Sequence, residues 1–374
     1  MHDLDALLSD EGWPYASTPP VEEGDPGRFH CLFGRDSLIT ALQLLPERPD
    51  VARATLRALA RRQGRALHPG TQEEPGKIGH EFRDAPAQEF VDAGWPADGP
   101  FAYYGTADAT SWYIVLATAA GSSEEARRGA GSWLAGALGR GDGLVRHGPG
   151  EWGALTQQGW RDTIDPTQAY GGGILRPDGS VPEPPLADID TQAVAYAALR
   201  ALGWDDRADA LRARLSALVP EVMAVEAGDR IVEGAGSQLG WLLWAGALDD
   251  DAREVAAERL CRPDILTAYG LRTLSSESPV FAPHAYHRGS VWPFDSWLGW
   301  GGLRAAGRTE EAERVRTGVL AALDRLGRSP ELYAVNHDGE VEPVALSNRV
   351  QAWTVGARWA LEHEWDGRTS TAAG

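Results

Sequence analysis

The sequence predicts an all-α protein folded as an (α/α)6 barrel, with minor β-hairpins in its loops. Helix-length segments that are apolar all round alternate along the chain with segments that carry Arg and Glu on one face. The first kind is typical of buried helices, and the second of helices that face solvent. Strand signals are sparse and short, as in residues 230–233. The pattern therefore indicates an inner and an outer ring of helices.

Six apolar segments rich in small residues predict the inner ring, at residues 35–47, 108–120, 187–203, 236–248, 289–306 and 346–362. Five amphipathic segments predict outer helices at residues 51–66, 123–139, 205–219, 251–262 and 308–327. Residues 3–10 are expected to supply the sixth outer helix. The runner-up architecture is an irregular helical solenoid, although no fixed sequence period marks repeats.

No low-complexity linker divides the chain, so one catalytic domain over residues 1–374 is expected. Two Pro- and Gly-rich stretches, residues 67–107 and 140–186, interrupt the helical pattern. Long loops inside a compact domain are usually functional. Both stretches precede inner helices, so we expect the loops that enter inner helices to converge on one pocket at one barrel end.

Composition excludes several classes of partner. A net charge of −19 disfavours nucleic acid and anionic membranes, because both bind basic surfaces. No apolar run is long enough to span a membrane, and the acidic N-terminus lacks the features of a signal peptide, so a cytoplasmic location is expected. Cys31 and Cys261 are too few for a disulfide framework or a cysteine-based zinc site. A small neutral or cationic ligand fits best, and the oligomeric state stays open.

Two short stretches point to a reaction. Residues 158–162 and 329–333 each place a carboxyl group, Asp162 or Glu331, beside an aromatic residue and outside an obvious amphipathic helix. Cleavage of a glycosidic bond needs two carboxyl groups, one to protonate the leaving oxygen and one to activate water or attack carbon. An aromatic neighbour offers a flat face to a sugar ring. These stretches therefore predict a glycosidase.

Polar clusters precede or open each inner helix. Residues 32–37 hold Arg35 and Asp36, which could grip sugar hydroxyls or, in the case of Asp36, cap the helix. His284 and His287 could suggest metal, but no third ligand has a matching spacing, so neither a metal nor another cofactor is expected. The other clusters lie at residues 77–81, 103–110, 160–162, 188–192, 237–238 and 284–295, and Glu331 and Gln351 belong with the sixth inner helix.

Eight of these motifs, in order, resemble the catalytic module of the bacterial amylo-α-1,6-glucosidase (glycogen-debranching-like) proteins. That module is similar to the trehalase, processing α-glucosidase and glycosylglycerate hydrolase group of inverting glycosidases, which share an (α/α)6 barrel. The motifs are residues 33–37, 77–81, 103–110, 158–162, 269–275, 286–293, 330–332 and 351–353. Full-length relatives usually carry an additional N-terminal β-rich domain. Its absence from this sequence favours a small glycoside over branched glycogen.

The resemblance implies that Asp162 is the general acid and Glu331 the general base. It implies a subsite for the cleaved sugar lined by Arg35, Asp36, Asp108, Trp160, Arg161, Gln192, His287 and Trp292. Further motif residues are candidates for substrate binding, namely His80, Glu81, Tyr104 and Gln351. Residues 238–241 and 190–192 depart from the family pattern, which leaves the substrate more open than the barrel.

The prediction is an inverting, exo-acting α-glycoside hydrolase that needs no cofactor. Its substrate would be a small α-glucoside or related glycoside; glucosylglycerate, mannosylglycerate, trehalose, isomaltose-like oligosaccharides and kojibiose stay open. Two alternatives come from other classes. Sugar epimerases also use α/α barrels but rely on histidine pairs, for which His284 and His287 are candidates. A non-catalytic glycan-binding relative is the second, against which both intact carboxyl groups argue.

Overall fold

A computed structural model of the protein describes residues 2–19, 29–121, 124–140 and 142–368. Thirteen α-helices are found in these residues. In chain order they are α1 (His2–Asp5), α2 (Gly34–Gln43), α3 (Pro49–Arg61), α4 (Gln88–Asp92), α5 (Ala109–Ala119), α6 (Glu124–Gly139), α7 (Ile189–Ala201), α8 (Asp205–Ser216), α9 (Gln238–Ala245), α10 (Asp250–Leu260), α11 (Pro293–Ala305), α12 (Thr309–Leu326) and α13 (Ala352–Glu362).

Six of these helices form the inner ring. Helices α2, α5, α7, α9, α11 and α13 each pack against the next, and α13 packs against α2 to close the ring. Outside it, α3, α6, α8, α10 and α12 each pack against the inner helix that precedes them in the chain. The chain is thus an (α/α)6 barrel, as the sequence predicts, and the closed ring excludes the solenoid. None of the helices in the described residues is both long and apolar enough to cross a membrane.

The sixth outer position differs from the prediction. Instead of a helix over residues 3–10, α1 ends at Asp5 after a single turn. Leu4 and Leu7 pack against Leu44 and against Ala352 and Val355 of α13. In the described part of the chain, short apolar contacts therefore take the place that a full-length outer helix was expected to fill.

Two inner helices begin later than predicted, at the end of the barrel that holds the site. Helix α11 begins at Pro293 rather than residue 289, because proline suits the first helical position, and Val291 forms antiparallel bridges to Arg272 and Tyr333 instead. Helix α13 begins at Ala352 rather than residue 346, since residues 347 and 348 bind the segment around Glu331.

The strands are short and antiparallel, and they join the loops at that same end. They are β1 (Leu32–Phe33), β2 (Glu81–Arg83), β3 (Phe101–Tyr103), β4 (Ala187–Asp188), β5 (Val222–Val225), β6 (Ile231–Glu233), β7 (Leu266–Thr267), β8 (Gly270–Leu271), β9 (Tyr333–Val335) and β10 (Val341–Pro343). The sheets run β1-β2-β3, β4-β5-β6, β7-β8 and β9-β10. Strand β6 confirms the hairpin predicted at residues 230–233.

Small residues let the inner helices approach closely. A Cβ on Gly240 of α9 would lie 2.6 Å from the Cα of Gly299 on α11, and one on Gly302 would lie 2.6 Å from the Gly240 carbonyl oxygen. Any larger side chain there would push the two helices apart. Most of the core between the rings is aromatic and aliphatic, with Trp112, Trp241, Trp297 and Trp300 fully buried among the helices. Such close packing explains the small-residue bias of the inner segments.

Candidate active site

A cavity of about 170 Å³ opens where the loops enter the inner helices. This volume is below the roughly 300–1,000 Å³ of pockets for drug-sized ligands, so it suits a small molecule. Both long loops predicted as functional contribute to its wall. Its lining comprises Phe29, Phe33, Arg35, Asp36, His80, Glu81, Phe90, Leu155, Trp160, Asp162, Thr163, Ile164, Gln168, Tyr170, Tyr286, His287, Trp292, Glu331 and Trp353.

Asp162 lies in a turn closed by an antiparallel bridge between Gln157 and Thr163. Its Oδ2 accepts a hydrogen bond from Nη1 of Arg35 at 2.9 Å, and Nε2 of His80 lies 3.9 Å from the same oxygen. A quarter of the side chain is exposed, towards the cavity. Burial raises the pKa of Asp162 to about 6, although the Arg35 guanidinium opposes the shift. A carboxyl group with such a pKa holds a proton at mildly acidic pH.

Arg35 organises this side of the site from the first turn of α2. Besides its bond to Asp162, it donates through Nε to Oδ2 of Asp108 at 2.8 Å and through Nη2 to the carbonyl oxygen of Gly159 at 2.8 Å. The other oxygen of Asp108 accepts from the Thr106 hydroxyl at 3.0 Å. Asp108 is 1% exposed and stands behind Arg35, so it fixes the guanidinium.

Gly34 allows the segment that contains His80 to pack against the start of α2. Its amide donates to the His80 carbonyl oxygen at 2.8 Å, and a Cβ on Gly34 would lie 2.1 Å from the carbonyl oxygen of Gly79. Only glycine therefore permits residues 79 and 80 to pack against the start of α2. Burial lowers the pKa of His80 well below its ordinary value, so the imidazole is neutral.

Glu331 faces the cavity in a different environment. One oxygen accepts a hydrogen bond from the Tyr286 hydroxyl. The other accepts from the backbone amide of Asn348 at 3.2 Å and from its side-chain Nδ2 at 3.4 Å. Glu331 is 2% exposed, and its own amide donates to the Asn348 carbonyl oxygen at 3.0 Å. Three donors aimed at two oxygens favour a carboxylate over a carboxylic acid.

A third carboxyl group, Asp36, is linked to Glu331 through side chains. Nε2 of Gln351 donates to Oδ1 of Asp36 at 3.3 Å, and Nδ2 of Asn348 donates to Oε1 of Gln351 at 3.1 Å. Burial raises the pKa of Asp36 to about 8; Arg35 opposes the shift, and nearby carboxyl groups, Asp162 and Glu331 among them, add to it. Asp36 therefore carries a proton at neutral pH and is able to donate a hydrogen bond. It lies inside α2, and Phe33 is the N-cap, so Asp36 does not cap the helix.

Aromatic rings form the deep wall. Trp160 and Trp292 meet edge to face with ring centroids 5.4 Å apart, and the His287 ring stacks on Trp292 at 5.3 Å. Behind Trp160, the guanidinium of Arg161 lies 4.4 Å from its ring centroid and pairs with Asp190 at 3.1 Å. Burial keeps the pKa of His287 well below its ordinary value. The wall is thus flat and apolar, with a neutral imidazole beside it.

Nine of the residues predicted for the site line this cavity, and five do not. Those that line it are Arg35, Asp36, His80, Glu81, Trp160, Asp162, His287, Trp292 and Glu331. Those outside it are Tyr104, Asp108, Arg161, Gln192 and Gln351. The Tyr104 hydroxyl donates to the Arg62 carbonyl oxygen at 2.8 Å, and Gln192 bonds the backbone of Val145 at 2.8 and 2.9 Å. These two hold loops in place, away from the cavity.

Several lining residues were not singled out from the sequence. Tyr286 and Trp353 lie within quoted motifs, so their position in the motif was the available signal. Asn348, which bonds Glu331 but does not line the cavity, precedes the last motif by three residues. Phe90 and Leu155 belong to a separate aromatic cluster with Trp95, Phe101 and Tyr103. Phe90 and Leu155 carry no polar or titratable group, so only the folded structure identifies them as lining residues.

The histidine pair considered for epimerase chemistry does not converge. His287 lines the cavity, whereas Nε2 of His284 bonds a carboxylate oxygen of Glu342 at 2.7 Å and half of the His284 side chain is exposed. Two histidines that act on one sugar carbon must both reach it. This placement removes the observation that kept the epimerase alternative open.

The Tyr286→Phe variant tests the environment of Glu331. We expect kcat to fall by about 10-fold, because one hydrogen bond to a charged group contributes about 1.5–3 kcal/mol. The acidic limb of the pH–rate profile should move to higher pH, since a carboxylate that loses a donor takes up a proton more readily. Steady-state rates between pH 4 and 9 measure both. A fall in rate with an unmoved profile would contradict the link to Glu331.

Comparison with known proteins supports the glycosidase part of the resemblance, whereas the likeness to debranching enzymes in particular stays a prediction. A model of the mannosylglycerate hydrolase MGH1-like glycoside hydrolase domain matches residues 195–333. The matched part carries Tyr286, His287, Trp292 and Glu331 but not Asp162. This stretch of the chain is therefore similar to a glycoside hydrolase domain. No curated protein matches at a significant level.

Solved structures share the fold over nearly the whole chain. The GH63 mannosylglycerate hydrolase from Thermus thermophilus in complex with Tris and D-glycerate has a TM-score of 0.65 at 15% identity, covering 97% of this chain and 98% of that chain. Its complex with glucose has a TM-score of 0.64 at 16% identity, with coverages of 97% and 98%. Neutral trehalase from Saccharomyces cerevisiae has a TM-score of 0.58 at 15% identity, with coverages of 93% and 73%. These likenesses establish the six-hairpin barrel.

Proposed function

We propose that this chain is an inverting, exo-acting α-glycoside hydrolase that cleaves a small α-glucoside or related α-glycoside and acts as a single catalytic domain. The observation that carries the proposal is a pair of carboxyl groups, Asp162 and Glu331, on one small cavity in contrasting surroundings. One has a pKa raised to about 6, and the other accepts three hydrogen bonds. Such contrasts separate an acid from a base.

In this mechanism the cleaved sugar lies against Trp160 and Trp292, deep in the cavity. Asp36 and the neutral His80 and His287 meet its hydroxyl groups, while Arg35 holds Asp162 in place. Asp162 donates its proton to the glycosidic oxygen as that bond breaks. Glu331 removes a proton from water, which attacks the anomeric carbon from the opposite face. After the reaction Asp162 is ionised and Glu331 is protonated, and proton exchange with solvent restores the starting states.

Support for a glycosidase comes from the domain match and from the eight ordered motifs. A hydrolysis screen tests it with glucosylglycerate, mannosylglycerate, trehalose, isomaltose-like oligosaccharides and kojibiose as substrates. Release of the monosaccharide from at least one is expected. If none is cleaved while a free hexose is converted to its epimer, the reaction class is wrong. If neither reaction occurs although a sugar binds, the chain is a binding relative.

The stereochemistry of the first turnover separates water activation from direct attack. Because water attacks opposite to the leaving group, an α-glycoside should release the β-anomer first. Direct attack by Glu331 would give the α-anomer by way of a covalent intermediate and requires the carboxyl groups to lie about 5–5.5 Å apart. Proton NMR during the first minutes, before mutarotation, distinguishes the two anomers. Early accumulation of α-anomer would refute inversion while leaving both carboxyl groups as candidates.

The pH dependence should report Asp162. As the general acid it must be protonated, and its pKa is raised to about 6, so kcat/KM should decline as pH rises through that region. Arg35 lowers the pKa of Asp162, so Arg35→Met should shift the alkaline limb to higher pH while weakening substrate binding. Rates on one substrate across pH 4–9 give both limbs. An unmoved alkaline limb in that variant would assign the limb to another group.

A further inference from the structure

The lining of the cavity includes apolar side chains outside the tryptophan wall. Four of them are Phe29, Phe90, Leu155 and Ile164, and we call them the apolar wall. Ile164 follows Asp162 by two residues and packs against the aromatic cluster that contains Phe90 and Leu155. Under the proposed function Asp162 protonates the leaving oxygen, so the leaving group lies on the Asp162 side. The deep tryptophan wall takes the cleaved sugar.

The positive charge in the described lining of the cavity comes from one side chain, and its nitrogens already donate to protein oxygens. All nineteen lining residues belong to the described part of the chain, and Arg35 is the one Arg or Lys among them. Each of its three nitrogens donates to a protein oxygen, two of them on Asp108 and Asp162. The lining also contains carboxyl groups on Asp36, Glu81, Asp162 and Glu331. Acidic groups therefore outnumber cations.

The neighbouring arginines are engaged elsewhere. Arg83 forms an ion pair with Glu81, and its guanidinium lies 6.0 Å from the Phe33 ring centroid. Arg288 donates from Nη1 to the carbonyl oxygens of Pro166 and Gly172 at 2.8 and 3.1 Å. Within the described part of the chain, a carboxylate on the leaving group would have to draw Arg83 from Glu81 or Arg288 from these carbonyl oxygens, or remain against the apolar wall without a partner.

Such a carboxylate would lose hydration without gaining a counter-ion, which is strongly unfavourable. It would also be repelled by the ionised Glu331 across the small cavity. An uncharged leaving group with an apolar face suffers neither effect, and the C–H face of a sugar ring or an alkyl chain packs well on phenylalanine. We infer that the leaving-group side of this site selects an uncharged leaving group, with a second neutral sugar ring as the best fit, over one that carries a carboxylate.

This inference rests on the proposed function and departs from what the matched domain's name suggests. A matched substrate pair tests it: α-glucosylglycerate and its methyl ester, which differ in one negative charge. We expect kcat/KM for the ester to exceed that for the acid by at least about 10-fold, because a buried site that leaves a polar group unpaired discriminates strongly. A neutral disaccharide such as kojibiose should be cleaved at least as well as the ester. A preference for the acid would overturn the inference.

Two substitutions of Ile164 distinguish the effect of charge at the apolar wall from the effect of side-chain shape. Ile164→Arg should raise the acid-to-ester ratio of kcat/KM at least about 10-fold by supplying a counter-ion, whereas the uncharged Ile164→Gln should leave that ratio within about twofold. Circular dichroism melting confirms that each variant folds. Equal ratios for the Arg and Gln variants would overturn the role of charge at the wall.

The Arg83→Gln variant tests whether Arg83 binds an anionic leaving group. The inference expects it to change activity on the acid and the ester by the same factor, since Arg83 is committed to Glu81. A selective loss on the acid would overturn the inference and identify Arg83 as an anion-binding residue. Failure to cleave the acid, the ester or any neutral glycoside would instead refute the proposed function, so the two failures are distinguishable.

Discussion

Replacing Glu331 by glutamine should slow hydrolysis by at least about 10²-fold, the low end for lost acid–base catalysis. The amide is nearly isosteric, so the bond from the Tyr286 hydroxyl is retained, but the amide cannot take a proton from water. The effect should fall on kcat and leave KM within a few-fold, because in the proposed mechanism Glu331 contacts water rather than the sugar. Steady-state kinetics and a melting curve for each protein measure activity and folding separately.

Glu342→Gln is the matched control for this change. Glu342 lies on strand β10, its side chain is 42% exposed, and it bonds His284 and Asn336 outside the cavity. It should retain normal turnover. Near-normal activity in Glu331→Gln would move the base elsewhere, and Glu81 is next in line because it also lines the cavity.

Replacing Asp162 by asparagine should lower activity by a factor that depends on whether the leaving group needs a proton. For a glycoside with an ordinary alcohol as leaving group, turnover should fall by at least about 10²-fold, because the oxygen leaves without a proton. For a 2,4-dinitrophenyl glycoside, whose leaving group needs no proton, the fall should be about 10-fold or less. Arg35 can still donate to the amide oxygen, so the fold should survive. The measurement is kcat/KM for both substrates.

Asp165→Asn serves as its control. Asp165 lies in the next turn and accepts bonds from Thr167, and it does not line the cavity, so both substrates should react normally. If Asp162→Asn slowed both substrates equally, Asp162 would support the site through Arg35 rather than donate the proton. If neither substrate were affected, the acid would have to be another lining carboxyl group.

Helix ends are where the sequence-based fold prediction departs from the structure. Apolar segments correctly predicted six inner helices, because burial on all sides requires apolar side chains all round. The predicted starts at residues 289 and 346 preceded the observed starts at Pro293 and Ala352. Residues 291 and 348 form hydrogen bonds to strands and turns far along the chain, and a local pattern does not report such partners.

The site residues divide in a similar way. Arg35, Asp108 and Asp162 were all predicted as site residues, since each stands in a polar cluster before an inner helix. The guanidinium of Arg35 contacts Asp108, which is 73 residues away in the chain, and Asp162, which is 127 residues away. In this arrangement Asp108 lies behind Arg35, whereas Asp162 faces the cavity. The aromatic neighbour and the family resemblance favoured Asp162 as the catalytic group, but a local pattern does not report which of the two aspartates faces the cavity.

The sequence by itself determined the barrel and the carboxyl pair as candidates, and its net charge predicts that polyanions are poor partners. Each depends on side-chain chemistry or on periodicity, and both are properties of the chain alone. The tertiary structure decided which candidates face one cavity, why the pKa of Asp36 is raised, and that Phe29, Phe90, Leu155 and Ile164 line the same cavity as Asp162. Those outcomes depend on burial and on distances between remote loops, because a side chain's solvation and charge environment exist only after the chain has folded.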